Sequence, residues 1–415
     1  MNPFGYRDGV LCAESVSLAT IATSLGTPCF VYSRAALTAA YAAYTEAFAE
    51  TEPLICYAAK ANSNLAILGL FAQLGSGFDI VSGGELARVL AAGGAPGRVV
   101  FSGVGKSEAE MRFALTHDIL CFNVESSSEL ERLNRVAAAM NKVAPVSFRV
   151  NPDVDPGTHP YISTGLKDNK FGIPHGDAVA LYLHAQRLSN VRIVGIDCHI
   201  GSQITEIAPY LEAFERILEL VAQLGSAGIV LEHIDLGGGI GIRYRDEEPL
   251  SLPAYARAIG GRLAGRRERL ILEPGRSLVG NGGLLLTRVE YLKHGETRNF
   301  AVVDAAMNDL MRPALYDAYH SVLPVAQHAD AAADVFDIVG PVCESGDFLA
   351  RDRELALAEG DLIAIMSAGA YGMSMSSNYN TRPRAAEVMA DGSVWHVIRD
   401  RETIPELFAR EHPLP

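Results

Sequence analysis

Short apolar runs recur along the chain, separated by stretches of helical periodicity. The runs Pro53-Leu54-Ile55-Cys56, Gly77-Phe78-Asp79-Ile80-Val81, Val99-Val100-Phe101 and Ile119-Leu120-Cys121-Phe122 each have the length of one buried strand. Four more follow: Val146-Ser147-Phe148-Arg149-Val150, Ile193-Val194-Gly195-Ile196-Asp197-Cys198, Ile234-Asp235-Leu236 and Leu270-Ile271-Leu272. Between them lie helical signatures. Ser82 and Glu85 stand at capping-box spacing before an apolar-periodic stretch that Gly93-Gly94 ends. Ahead of the first run, Leu37, Tyr41, Tyr44 and Phe48 recur every three or four residues and predict an amphipathic helix from Ala35 to Glu50. Eight strand–helix pairs fit a (β/α)8 barrel, with a doubly wound open sheet as the alternative. The barrel is preferred because chemically capable residues stand at the C-terminal ends of several different strands, where barrel enzymes assemble their sites.

Beyond Gly280 the texture changes. Leu284 to Tyr291, Phe300 to Asp304, Asp334 to Val339 and Asp361 to Ile365 read as strands without crossover helices, hence as a second, all-β domain. The run Thr27-Pro28-Cys29-Phe30-Val31-Tyr32 reads as a strand entered through proline that joins that domain's sheet. The predicted division is an N-terminal segment 1–35, a barrel 36–280 and a C-terminal β domain 281–415.

Composition narrows the classes. A net charge of −14 on 415 residues, with no acidic tail, argues against nucleic acid or an anionic membrane as partner and leaves room for a small anion in a local positive pocket. Six cysteines without CxxC spacing disfavour a zinc site or a disulfide framework and suit a reducing cytoplasm; no metal is expected. The N-terminal residues lack a basic segment followed by an apolar core, so no signal peptide is expected, and no apolar run has the length of a membrane span.

Candidate chemistry begins at Tyr57-Ala58-Ala59-Lys60-Ala61-Asn62. A lysine at the end of a buried strand is suited to act as a neutral amine that forms a Schiff base, although a solvated strand-tip lysine gives the same pattern. The glycine run Gly237-Gly238-Gly239-Ile240-Gly241 follows the seventh strand, where barrels commonly bind phosphate; a sharp turn is its other reading. Glu273-Pro274-Gly275-Arg276 follows the eighth, and its carboxylate could hold a proton on a pyridine nitrogen or form a surface ion pair. His199 could lie against a planar ring or be a packing residue. Together, lysine, glycine run, carboxylate and histidine meet the needs of pyridoxal 5'-phosphate. A Schiff-base aldolase would also use Lys60 but would leave Glu273 without a role.

These stretches, with Phe78-Asp79-Ile80-Val81-Ser82-Gly83-Gly84-Glu85, His199-Ile200-Gly201-Ser202-Gln203, Cys343-Glu344-Ser345-Gly346-Asp347, Gly369-Ala370-Tyr371-Gly372 and the segments 158–172 and 304–316, resemble the fold-type III pyridoxal 5'-phosphate decarboxylases nearly end to end. The small departures are Ile240 where leucine is usual and Gly282-Gly283 after Asn281. The resemblance implies an alanine-racemase-like barrel plus β domain. It implies that Lys60 forms the Schiff base, His199 stacks on the ring and Glu273 contacts the pyridinium, with Asp79 in support. Ser202, Gly238, Gly239, Gly275, Arg276 and Tyr371 would hold the phosphate end. Arg276, Arg312, Tyr316 and Tyr371 would take the substrate's distal carboxylate, Glu344 its distal ammonium, and Cys343 would donate a proton. Cys343 and Glu344 would come from the partner of a homodimer. The implied reaction is decarboxylation of meso-2,6-diaminopimelate to L-lysine and CO2. Read directly, two forked arginines and a carboxylate match a zwitterionic far end, whereas an ornithine-type diamine would want carboxylates alone. The same residues also admit domain-interface salt bridges and an inert thiol, and a related ornithine- or arginine-type decarboxylase or a non-catalytic cofactor-binding protein are the competing functions.

Overall fold

The computed structural model describes residues 3–155, 170–327 and 332–415, so most of the segment 158–172 quoted above lies outside the described residues. The chain folds into two compact units, one formed by Ala40–Ile242 and Glu248–Ser277, the other by Met1–Ala39, Arg243–Glu247 and Leu278–Pro415.

The first unit is a closed barrel. Its strands are β1 (Leu54–Ala58), β2 (Gly77–Ile80), β3 (Val99–Phe101), β4 (Cys121–Val124), β5 (Ala144–Asn151), β6 (Val191–Asp197), β7 (His233–Asp235) and β8 (Arg269–Leu272). Each pairs in parallel with the next, and β8 returns to β1 through Ile271↔Leu54 and Leu272↔Ile55, which removes both sheet edges. Strands with both faces covered need continuous apolar sequence, and every residue of β1 and β3 is buried. The helices Leu65–Gln73, Gly83–Ala91, Glu108–Thr116, Ser127–Ala139 and Leu252–Leu263 start on side-chain caps: Asn64, Ser82, Ser107, Ser126 and Ser251 each accept a backbone N–H of the first turn. Glu85, expected to complete a box with Ser82, instead accepts the Val81 N–H at 2.7 Å, while a reciprocal box forms at Ser107 and Glu110. A fully buried Lys106 ties two strand ends together by donating to Gly103 O and Asn123 O, 2.8 and 2.7 Å away, and pairing with Glu129 at 2.8 Å.

The second unit is built on a sheet of order 348–355, 334–339, 299–303, 283–294, 29–33, 386–391, 394–399; the strand 362–365 also pairs with 283–294 and with 322–324. Cys29–Ser33, entirely buried, runs antiparallel to Gly283–His294 and parallel to Ala386–Asp391. Against this sheet packs an apolar cluster that includes Leu11, Leu18, Ile21, Val31, Leu284, Leu286 and Val388. Among the described residues no helix is long and apolar enough to cross a membrane.

Candidate active site

Lys60 sits in a 3-10 turn, Ala59–Ala61, directly after β1. The turn is pinned: the Tyr57 hydroxyl donates to Asn62 O at 2.8 Å, Ala58 N–H donates to Pro274 O at 3.1 Å, and the Tyr57 ring lies 4.4 Å from that of Phe71. Lys60 Nζ pairs with Asp79 Oδ2 at 2.9 Å, and the Asp79 side chain is wholly buried whereas that of Lys60 is 36% exposed. Full burial of the lysine, suggested by the apolar run before it, is therefore not what the fold provides. The turn carries Lys60 out of the closely packed strand layer, and a buried carboxylate at the end of the neighbouring strand holds its amine.

His199 follows β6 and accepts the Gly238 N–H at Nδ1, 3.2 Å away, which places the ring proton on Nε2. Burial first, then the charges of Arg149 and Lys60, hold its pKa well below the ordinary histidine value, so the ring is neutral. Arg276 reaches Ser202 Oγ with Nη2 at 3.0 Å and Nε at 3.4 Å, bringing a guanidinium and a hydroxyl together after β8 and β6. The glycine run is required sterically: a Cβ on Gly238 would lie 2.1 Å from Glu273 O, and one on Gly239, whose φ is +101°, 2.3 Å from Gly201 O. Gly275 packs on Ala58 and Ala61, where a Cβ would come within 3.2 Å of both.

The barrel interior holds charge that the sequence reading did not weigh. Asp197, Asp235 and Glu273 place oxygens within 4.8 Å of one another, all buried. Arg149, from β5, stands 3.4 Å from Glu125 and 4.0 Å from Asp197. Arg149, Asp197 and Asp235 each break an apolar run and Glu273 follows one, a signal visible in the sequence, but only ring closure brings them to one place. Burial, then the neighbouring Asp235, Asp79 and Asp197, push the Glu273 carboxyl well above the usual range; burial likewise pushes Asp235 up to about 7. Asp235 Oδ1 accepts the Gly237 N–H at 2.8 Å, while its Oδ2 and Glu273 Oε1 have no donor among the described residues. The proton that burial keeps on Asp235 gives that carboxyl a donor of its own.

That proton has a consequence for the cofactor-free protein. Folded Asp235 keeps a proton that the unfolded chain releases near the ordinary carboxylate pKa of about 4, so stability is lost as pH rises from there through about 7. Asp235→Asn keeps the acceptor for Gly237 and replaces the proton with an amide N–H. Its melting temperature is expected to gain on that of the wild type between about pH 5 and about pH 8, by on the order of 1–3 kcal/mol in stability. Melting curves that run parallel across that range would exclude that proton.

The remaining candidates lie in the sheet unit. Arg312 is buried at the start of the short helix Arg312–Tyr316, which Tyr316 ends. Tyr371 adopts a left-handed backbone conformation, φ 56°. Cys343 is a free, exposed thiol whose backbone N–H donates to Asn380 Oδ1 at 2.9 Å, and the exposed Glu344 accepts the Tyr379 hydroxyl at 2.5 Å.

The barrel-end set fits pyridoxal 5'-phosphate. Buried Asp79, Asp197, Asp235 and Glu273 influence one another, a pyridinium beside them would offset the charge they carry once ionised, and the orphaned Glu273 oxygen is an acceptor for its N–H. Ser202, Arg276 and the glycine run supply donors of the kind a phosphate needs.

Comparison with known proteins decides the family. Residues 34–280 match the family described as "Pyridoxal-dependent decarboxylase, pyridoxal binding domain". The diaminopimelate decarboxylase of Pseudomonas aeruginosa is 60% identical over 415 residues, covering 100% of both chains. The chain belongs to the diaminopimelate decarboxylase family. The Vibrio cholerae relative is 55% identical, again over the whole of both chains. Among solved structures, the diaminopimelate decarboxylase of M. jannaschii in co-complex with L-lysine superposes with a TM-score of 0.95 at 39% identity, covering 100% of this chain and 98% of that one. The Helicobacter pylori enzyme, also complexed with L-lysine, gives 0.91 at 43% identity over 95% and 98%. The barrel-plus-sheet architecture expected from the strand rhythm is that of this family, and its members are pyridoxal-dependent carboxy-lyases.

Proposed function

We propose that the chain removes one carboxyl group of meso-2,6-diaminopimelate to give L-lysine and CO2, using pyridoxal 5'-phosphate. The observation that carries this reading is whole-length identity of 60% to a diaminopimelate decarboxylase, together with Lys60 and Glu273 at the ends of β1 and β8. The cofactor, when bound, supplies an electrophilic carbon for the amino group and a ring that takes up the electron pair left as CO2 departs. Lys60 Nζ, held by Asp79, would tether it. Glu273 would accept the ring N–H, neutral His199 would cover the ring face, and Ser202, Gly238, Gly239, Gly275, Arg276 and Tyr371 would hold the phosphate end. Arg276, Arg312, Tyr316 and Tyr371 bind the distal carboxylate and Glu344 the distal ammonium. Cys343 Sγ returns a proton to the carbon that lost CO2.

The chain works as a homodimer in which Cys343 and Glu344, both exposed on their own chain, serve the partner's site. It works in the cytoplasm, where its free thiols stay reduced. The test measures CO2 release and products from diaminopimelate, ornithine, arginine and lysine; turnover confined to diaminopimelate is expected, and preference for ornithine or arginine would overturn the substrate. Mixing Lys60→Ala with Cys343→Ala, each inactive alone, should restore about a quarter of wild-type activity if sites are shared between copies. No recovery in mixed dimers would place Cys343 outside the partner's site.

A further inference from the structure

We propose that His320 is a positioning residue that fixes the Arg312 guanidinium for recognition of the substrate's distal carboxylate; this rests on the role given to Arg312 above. Arg312 Nη1 lies 2.8 Å from His320 Nε2, and His320 Nδ1 lies 2.7 Å from the Met366 carbonyl. A guanidinium keeps its protons and only donates, so Nε2 must accept; a carbonyl only accepts, so Nδ1 must carry the hydrogen. The two contacts therefore admit one state of the ring, neutral with the proton on Nδ1. His320 is fully buried and Arg312 is 6% exposed.

The other partners fix the remaining freedom. The Arg312 Cζ stands 4.5 Å from the centroid of Tyr244, and the Tyr244 ring meets His320 edge-on at 5.4 Å and 78°. Arg353 Nη2 donates to His320 O at 3.1 Å while its Cζ lies 4.1 Å from the Tyr319 ring, which Arg245 also approaches at 5.2 Å. The aromatic face sets the plane of the Arg312 fork, and the histidine acceptor sets its rotation within that plane. Bidentate capture of a carboxylate needs both to be set before the ligand arrives.

The holoenzyme series His320→Asn, His320→Gln and Arg312→Ala separates the outcomes. In His320→Asn the short amide keeps a donor for Met366 O but cannot reach Arg312, whereas in His320→Gln the longer side chain puts its carbonyl in the place of Nε2. Expected for His320→Asn is a KM for diaminopimelate raised about 10- to 100-fold, with kcat within about 2-fold and the visible absorbance of the holoenzyme unchanged. His320→Gln should bring KM back to within about 3-fold of wild type. If Arg312→Ala leaves KM unchanged, the role of Arg312 fails whatever His320 does. The positioning role is overturned if Arg312→Ala raises KM while His320→Asn does not, or if the Asn and Gln variants lose kcat and KM alike. Should His320→Asn fail to fold, a Gln variant whose KM stays about 10-fold or more above wild type overturns it equally.

Discussion

Lys60→Ala is expected to lower decarboxylation by on the order of 10⁴-fold or more and to abolish the visible absorbance that marks a cofactor bound through a lysine. The size follows from geometry. Lys60 Nζ is fixed by a 2.9 Å contact to Asp79 on the next strand, and its turn is held by Tyr57 and Pro274, so the place of this amine is set by the fold. Lys106, also in the barrel unit, has its three donors committed to Gly103, Asn123 and Glu129. Alanine also leaves Asp79 buried without its cation, so some loss of thermal stability should accompany the loss of chemistry. Absorbance spectra and single-turnover assays check both; a variant that retains the visible band and turns over would remove Lys60 from the reaction.

Glu273→Gln is expected to bind cofactor and keep the lysine-dependent band while kcat falls on the order of 10²- to 10³-fold. A glutamine can hydrogen-bond a ring nitrogen but carries no charge with which to hold a proton there. The neutral ring is then a poorer acceptor for the electron pair released with CO2. The change is nearly isosteric, and among the described residues Glu273 Oε1 has no protein donor to lose. A kcat within about 3-fold of wild type would show that the carboxylate does not govern ring protonation.

Much of the fold was legible because parallel strands covered on both faces leave unmistakable apolar runs, and all eight barrel strands fall on such runs. The strands Phe348–Leu355 and Val394–Arg399 escaped notice because half or more of their residues remain partly or fully exposed, which lets arginine, aspartate, histidine and tryptophan interrupt the pattern. The same locality limits the site. Lys60, His199 and Glu273 announce themselves just beyond strand ends, whereas Arg149 lies within β5, Asp197 and Asp235 close β6 and β7, and these three gain meaning only from barrel closure. Likewise, nothing in the composition of Arg243–Glu247 signals that it leaves the barrel's sequence to join the sheet unit, where Tyr244 meets Arg312 and His320.

The pairing of Cys29–Ser33 with Ala386–Asp391 sets an order of assembly during synthesis. One of the first strands to leave the ribosome cannot complete its ladder until almost the last is made, ~20–70 s later at ordinary elongation rates. The barrel, whose strands are consecutive in the chain, can close in the interval. Until then the nascent N-terminus carries an apolar strand with an open edge. Chaperone dependence and early aggregation should therefore trace to residues 29–33, and ribosome-bound chains halted before residue 386 should hold a protease-resistant barrel beside a cleavable leader.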